Sequence, residues 1–298
     1  VVNSWWEIQV LSDRSLDDLV FWRLQRFGCQ GTASQIKGNE AWIRAYLPIE
    51  KATLLDMSAL ALWLEQDAIA LGYESPDVKW DLINEEDWSN SWKQHWQPQE
   101  IGEKLIIYPA WITPTGESDR QVLRLDPGSA FGTGAHATTQ LCLEALEMRL
   151  SGVTPDREFV LADVGCGSGI LGIGAIMLGA SKVYAVDIDI MSVKATHHNR
   201  KLNNIPESKI WVEEGSLGHL LKNLPAPVNG FVCNILADVI VDMVPYLHQL
   251  TQPDGWGILS GILLEQAPMV IEVLEEHKWI VATLWKQKEW CCITVRSS

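Results

Sequence analysis

The feature that most constrains this chain is the run Asp163-Val-Gly-Cys-Gly-Ser-Gly169, where an apolar strand pattern (Phe159 to Val164) meets three closely spaced glycines and then an uncharged helix pattern. Glycine accepts φ > 0 and leaves no side chain between backbone and ligand, so the run predicts a tight strand-to-helix turn able to hold a nucleotide-like cofactor. A second strand pattern, Lys182 to Asp187, ends in an acid about twenty residues past the glycines, where a carboxylate in a βαβ unit reaches ribose hydroxyls. Such a unit places a cofactor site at the carboxyl end of a parallel sheet.

The glycines fit two registers. From Gly165 they read G-x-G-x-G with an acid two residues earlier, the pattern of S-adenosylmethionine methyltransferases; from Gly167, the set Gly167, Gly169 and Gly172 reads G-x-G-x-x-G, the dinucleotide pattern. Further segments bear on the choice. Upstream lies Asp126-Pro-Gly-Ser-Ala-Phe-Gly-Thr-Gly-Ala-His136-Ala-Thr-Thr139, leading into a helix expected over Thr138 to Arg149. Downstream, the strand Gly230-Phe-Val-Cys ends in Asn234-Ile-Leu-Ala237, and Glu85-Glu-Asp-Trp-x-x-x-Trp92 and Lys288-Glu-Trp-Cys-Cys-Ile293 flank the whole. In this order the motifs resemble the PrmA family, methyltransferases that modify amino groups of the large-subunit ribosomal protein numbered eleven, and the resemblance covers nearly the whole chain. It implies S-adenosylmethionine as cofactor, held by Gly165, Gly167, Asp187, Asn234 and Thr139, with Thr139 at the methionine end. Outside the resemblance, an NAD-dependent oxidoreductase using the shifted register and a non-enzymatic cofactor-sensing protein are the alternatives.

Length and patterning predict two domains. Residues 1–83 read as strand, helix, two strands around Lys37-Gly-Asn, helix and strand, the βαββαβ order of a small α+β ferredoxin-like domain, which the resemblance casts as a substrate-recognition module. Residues 84–97 read as a linker helix with Trp88, Trp92 and Trp96 on one slowly drifting face. Residues 98–298 read as the methyltransferase domain that the resemblance implies. They open on a strand pair, Lys104 to Ile107 and Gln121 to Leu125, around a Thr113-Pro-Thr-Gly turn, then alternate strand and helix from about Arg157 and close on two strands without an intervening helix. The expected fold class is α/β, a doubly wound, mostly parallel sheet whose last pairing is antiparallel; the resemblance makes it the seven-stranded class I methyltransferase sheet. Its ligand belongs beyond the strand carboxyl ends, where Gly165, Asp187, Glu214-Gly215 and Asn234 all fall.

Methyl transfer from a sulfonium to an amine is an in-line displacement, in which alignment and exclusion of water matter more than a redox centre or metal. The nitrogen lone pair must face the methyl group. The Asn234 side-chain oxygen and the nearby backbone carbonyl at Ile235 can accept amine hydrogens and aim that lone pair, as in amino-methylating enzymes with an Asn-Pro-Pro-aromatic turn. Here the turn is Asn-Ile-Leu-Ala, without a ring to stack on a planar amine, so a lysine or N-terminal amine of a protein fits better than a nucleobase. A lysine ammonium, with a reference pKa of ~10.4, must lose a proton before attack at about 4 kcal/mol near neutral pH, whereas an α-amine near ~8 costs much less. His136 is the candidate base, although a lone histidine in a glycine-rich loop is more often a hydrogen-bonded positioning group.

A formal net charge of −15 argues against a broad polyphosphate-binding surface, so no direct nucleic-acid binding is expected, and it suits a basic protein partner. The six cysteines form no C-x-x-C pair and several sit in apolar runs, the usage of free buried thiols in a reducing cytoplasm. His197-His198 has no companion Cys or acid at ligand spacing, so no metal is expected. The first residues lack a cleavable leader pattern, and the uncharged stretch Val164 to Ser181 carries too many glycines and serines for a membrane span.

Overall fold

A computed structural model describes residues 4–84, 97–114, 119–126, 134, 136–153 and 158–297. The chain divides into two compact units, Val1–Trp96 and Gln97–Ser298. The linker helix expected over 84–97 lies almost wholly outside the described residues.

The first unit runs β1 (Ser4–Asp13), α1 (Asp17–Phe27), β2 (Gln30–Lys37), β3 (Glu40–Pro48), α2 (Leu54–Ala70) and β4 (Asp77–Asn84). Its four strands lie in the order β2-β3-β1-β4, every pair antiparallel. Alternation along β1 and β3 turns Ile8, Val10, Ile43 and Leu47 to one face, where they pack on Leu16, Leu24, Leu60 and Leu64 beneath the helices. Thr53 starts α2 through a capping box with Asp56, whose carboxylate accepts the Thr53 N–H at 2.8 Å.

The second unit opens on a three-stranded sheet, β5 (Gln99–Ile101), β6 (Leu105–Pro109) and β7 (Gln121–Leu125). The two strands expected as a pair, β6 and β7, run parallel, with β5 antiparallel on the outer side of β6. A parallel pair cannot be joined as a hairpin, and the Thr113-Pro-Thr-Gly turn expected between the strands lies partly outside the described residues.

The rest alternates: α3 (Ala137–Leu150), β8 (Val160–Val164), α4 (Ile170–Met177), β9 (Lys182–Asp187), α5 (Ile190–Leu202), β10 (Ile210–Glu214), α6 (Leu217–Asn223), β11 (Val228–Asn234), α7 (Ala237–Met243), α8 (Leu247–Leu250), β12 (Thr251–Leu263), α9 (Ala267–Glu276), β13 (Trp279–Gln287) and β14 (Trp290–Ser297). These strands make one seven-stranded sheet in the order β10-β9-β8-β11-β12-β14-β13. From β10 to β12 every neighbour is parallel, and β14 runs antiparallel between β12 and β13. Both faces are covered, which is why Phe231, Leu259, Trp279 and Ile293 are buried. Chain order reverses between β8 and β11, so the crevice beyond their carboxyl ends is the topological switch point where such sheets take ligands. No helix among the described residues is long and apolar enough to cross a membrane.

Candidate functional site

Strand register assembles the site. Val164 lies opposite Val186 on one side and Cys233 on the other, and Glu214 pairs with Asp187 and Asn234 with Ser260. The next residues outward, Asp187, Gly165 and Asn234, therefore form one transverse row at the carboxyl edge.

The glycine turn is a left-handed structure: Gly165, Gly167 and Gly169 have φ of 77°, 54° and 81°. At Gly165 a Cβ would also run into the Ile235 side chain, so glycine is required there for both reasons. The Gly165 and Cys166 N–H groups donate to the Val186 carbonyl at 2.8 and 3.1 Å, folding the turn back over β9. Gly167 N–H donates to Asp187 Oδ2 at 2.8 Å, and Asp187 Oδ1 accepts the Asp189 N–H at 2.9 Å. Those two bonds fix the carboxylate beside the turn.

On the other side of the turn stands the end of β11. Asn234 is buried, its Nδ2 donates to Thr139 Oγ1 at 3.4 Å, and its Oδ1 meets no hydrogen-bond partner among the described residues. A buried amide oxygen without a donor is costly, so this one marks a place where a donor belongs. Thr139 is fully buried in the first turn of α3 and its N–H donates to the His136 carbonyl at 3.1 Å. The structure thus links all the candidate residues into one chain of contacts: Asp187, Gly167, Gly165, Ile235, Asn234, Thr139 and His136.

His136 is the N-cap of α3. Its Nδ1 lies 2.7 Å from Thr138 Oγ1 and accepts the Thr138 N–H at 3.4 Å, which leaves the proton of the neutral ring on Nε2. The ring meets Trp290 edge-on with centroids 4.9 Å apart. Burial pushes its pKa down, against the nearby Glu289 charge and with that of Lys288.

Residues that motif reading passed over brace the turn. Thr196 on α5 donates to the Gly167 carbonyl at 3.0 Å, and Asn199 Nδ2 donates to the Ser168 carbonyl at 2.8 Å and to the Asp126 carbonyl at 2.9 Å. Their signal was faint: polar residues at positions 196, 199 and 203, spaced to share one side of a helix. Near the end of β10, Glu213 pairs with His219 Nε2 at 2.9 Å. His197 and His198 belong to no group of three or more metal-binding side chains among the described residues. Burial pushes the thiols of Cys166 and Cys233 well above the ordinary range, so neither is poised as a nucleophile.

A family model described as ribosomal protein L11 methyltransferase (PrmA) matches residues 4–298. A Cyanothece sp. protein named ribosomal protein L11 methyltransferase is 51% identical over 294 residues, 98% of this chain and 98% of its own. A Thermosynechococcus vestitus protein of the same name is 48% identical over 297 residues, 99% of this chain and 98% of its own. The crystal structure of a ribosomal protein L11 methylase from Lactobacillus delbrueckii subsp. bulgaricus is 32% identical, with a TM-score of 0.61, over 68% of this chain and 100% of that one.

Proposed function

Since this chain belongs to the PrmA family of ribosomal protein L11 methyltransferases, we propose that it transfers methyl groups from S-adenosylmethionine to lysine or N-terminal amines of large-subunit ribosomal protein eleven. When bound, held by the Gly165 to Gly169 turn, Asp187 and Thr139, the cofactor would supply a methyl group on a sulfonium whose thioether is the leaving group for a neutral amine. The residues present fit that cofactor. The left-handed glycines clear space for it, the Asp187 carboxylate suits ribose hydroxyls, and Thr139 faces Asn234 where the methionine end would lie.

The single observation that carries the amine reading is the buried Asn234 Oδ1, which meets no donor among the described residues, in a site whose family transfers methyl groups. An amine N–H held there, with a second on the Ile235 carbonyl, points its lone pair along one direction. Alignment of this kind lowers the barrier without any charge change in the protein. Against catalysis by His136 stands its Nδ1 contact with Thr138, so we assign it to positioning α3 and with it Thr139.

We read the first unit as a ferredoxin-like recruitment domain, with the boundary near residues 83–97. Its βαββαβ order and β2-β3-β1-β4 strand order support the fold reading. Exposed Trp22 and Trp63, one on each helix and both under the Arg23 guanidinium, with Leu55 and Leu62 also exposed on α2, support the recruitment reading, since exposed apolar surface suits protein contacts. The chain's −15 charge favours encounter with a basic protein, and a cytoplasmic setting follows from that substrate.

The test is mass spectrometry of purified ribosomal protein eleven after incubation with this chain and S-adenosylmethionine. A gain in multiples of a methyl group, mapped to lysines or the N-terminus, is the expected result. No gain, or a gain at carboxylates or on RNA alone, overturns the reading.

A further inference from the structure

Ile235 is gripped from two sides. Gly165 presses on its side chain, and Gly261, far along the chain in β12, lies against its backbone. Gly261 has φ +84°, and a Cβ there would lie in contact with the Ile235 carbonyl oxygen and within 2.8 and 2.9 Å of its carbonyl carbon and nitrogen, closer than side-chain carbons come to backbone. The cause is a register shift: Ser260 pairs with Cys292 and Ile262 with Cys291, leaving Gly261 as the extra residue of a bulge beside Asn234. Around it, the Ile235 N–H donates to the Ser260 carbonyl at 3.1 Å, and Ser260 Oγ donates to the Cys291 carbonyl at 2.8 Å.

Resting on the amine reading above, we propose that Gly261 is a positioning residue for methyl transfer: a left-handed bulge without a Cβ lets the Ile235 carbonyl stand where it accepts a hydrogen of the incoming amine. A side chain at 261 cannot be relieved by a rotamer change, because what it strikes is backbone. It displaces the carbonyl and turns the amine away from the methyl group, while the glycine turn and Asp187, on the far side of Ile235, keep their geometry.

The experiment measures kcat at saturating cofactor and protein substrate, beside calorimetric S-adenosylhomocysteine affinity and thermal unfolding. Gly261→Ala is expected to lower kcat about tenfold or more with affinity within about threefold of the parent. Gly261→Asn tolerates φ > 0 but carries the same Cβ, so it should lose turnover equally. Gly179→Ala, at φ +115° with nothing within 4 Å, shows what left-handed strain alone costs in this unit. Should both Gly261 variants fail to fold, Ile235→Gly, which releases the grip from the Gly165 side, is expected to lower kcat with affinity retained. Near-parental turnover in Gly261→Ala or Gly261→Asn, or in Ile235→Gly where that variant decides, overturns the proposal, as does a matched loss of affinity and turnover. Asn234→Ala separates the two ideas: lost turnover there with intact Gly261 variants sinks only this inference, whereas normal turnover in Asn234→Ala sinks the amine reading itself.

Discussion

Asp163 is fully buried, its Oδ2 accepting the Gly172 N–H at 2.9 Å and its Oδ1 meeting no hydrogen-bond partner among the described residues. Burial, with a smaller push from Asp187 and against the Gly172 bond, raises its pKa from 3.8 to about 7. The sign follows directly. Between about 4 and 7 the folded chain holds a proton that the unfolded chain has released, so raising pH through that window removes stability, and above it the loss is complete. Asp163→Asn keeps the size and an acceptor for Gly172 without the titration. Its Tm should exceed the parent's at pH 8, and its stability should vary less between pH 4 and 7; thermal scans across that range check it, and an unchanged slope would refute the assignment. The acid was visible in sequence, but not its state, because its surroundings come from β9 and β11, distant along the chain. Gly261 was missed for a related reason: the sign of φ is not written in a sequence. A lone glycine inside a strand pattern was the available sign of a bulge.

Among the elements, α5 does the joining. Asn199 and Asn203, one turn apart, each use a side-chain amide as a strand would use its backbone: Asn203 accepts the Arg124 N–H at 2.8 Å and donates to the Arg124 carbonyl at 2.7 Å. Asn199 does the same for Asp126, accepting its N–H at 2.8 Å, and ties in the Ser168 carbonyl. The glycine turn and the end of β7 are thereby held to one helix. Asn199→Ala removes three side-chain bonds to backbone, one buried at Ser168 and two half-buried at Asp126, at about 1–3 kcal/mol for each group left unsatisfied. Weaker S-adenosylhomocysteine binding, by about tenfold or more, is the expected calorimetric result, with a lowered Tm. Parental affinity would show that the turn holds itself. Most elements were legible because the period changes cleanly from 2 to 3.6 between them. Where the reading slipped, a local cause is evident. The helical stretch after β11 breaks after Met243 into α7 and α8, where Pro245 lacks the N–H that helix continuation needs. The full extent of β12, Thr251 to Leu263, is masked in the sequence, since its bulge and its Gln-Pro-Asp-Gly stretch hide the alternation.

At the scale of the whole molecule, the recruitment we propose for the first unit and the chemistry of the second belong to separate compact units. Every residue linked at the site, from Asp187 to His136, belongs to Gln97–Ser298, which carries its own core around Phe231, Leu259 and Ile293. The first unit has a separate core around Ile8, Leu24 and Leu60 and brings exposed aromatic and aliphatic side chains without a candidate site residue. The sequence pattern changes near residue 83, whereas the compact units divide between Trp96 and Gln97, and the recruitment role we propose leaves no such mark because a binding surface has no period. Removing residues 1–96 should therefore leave a unit that unfolds cooperatively and binds S-adenosylhomocysteine within about threefold of the full chain, since no cofactor contact is lost. Its kcat/KM for ribosomal protein eleven should fall by about a hundredfold, mostly through KM, because the lost contacts bind substrate and transition state alike. Short lysine peptides, too small to bridge to a recruitment surface, should be methylated equally slowly by both forms. Steady-state kinetics on both substrates decides: an unchanged kcat/KM for the ribosomal protein refutes recruitment, and a fall in kcat alone with both substrates assigns the first unit to structural support of the catalytic one.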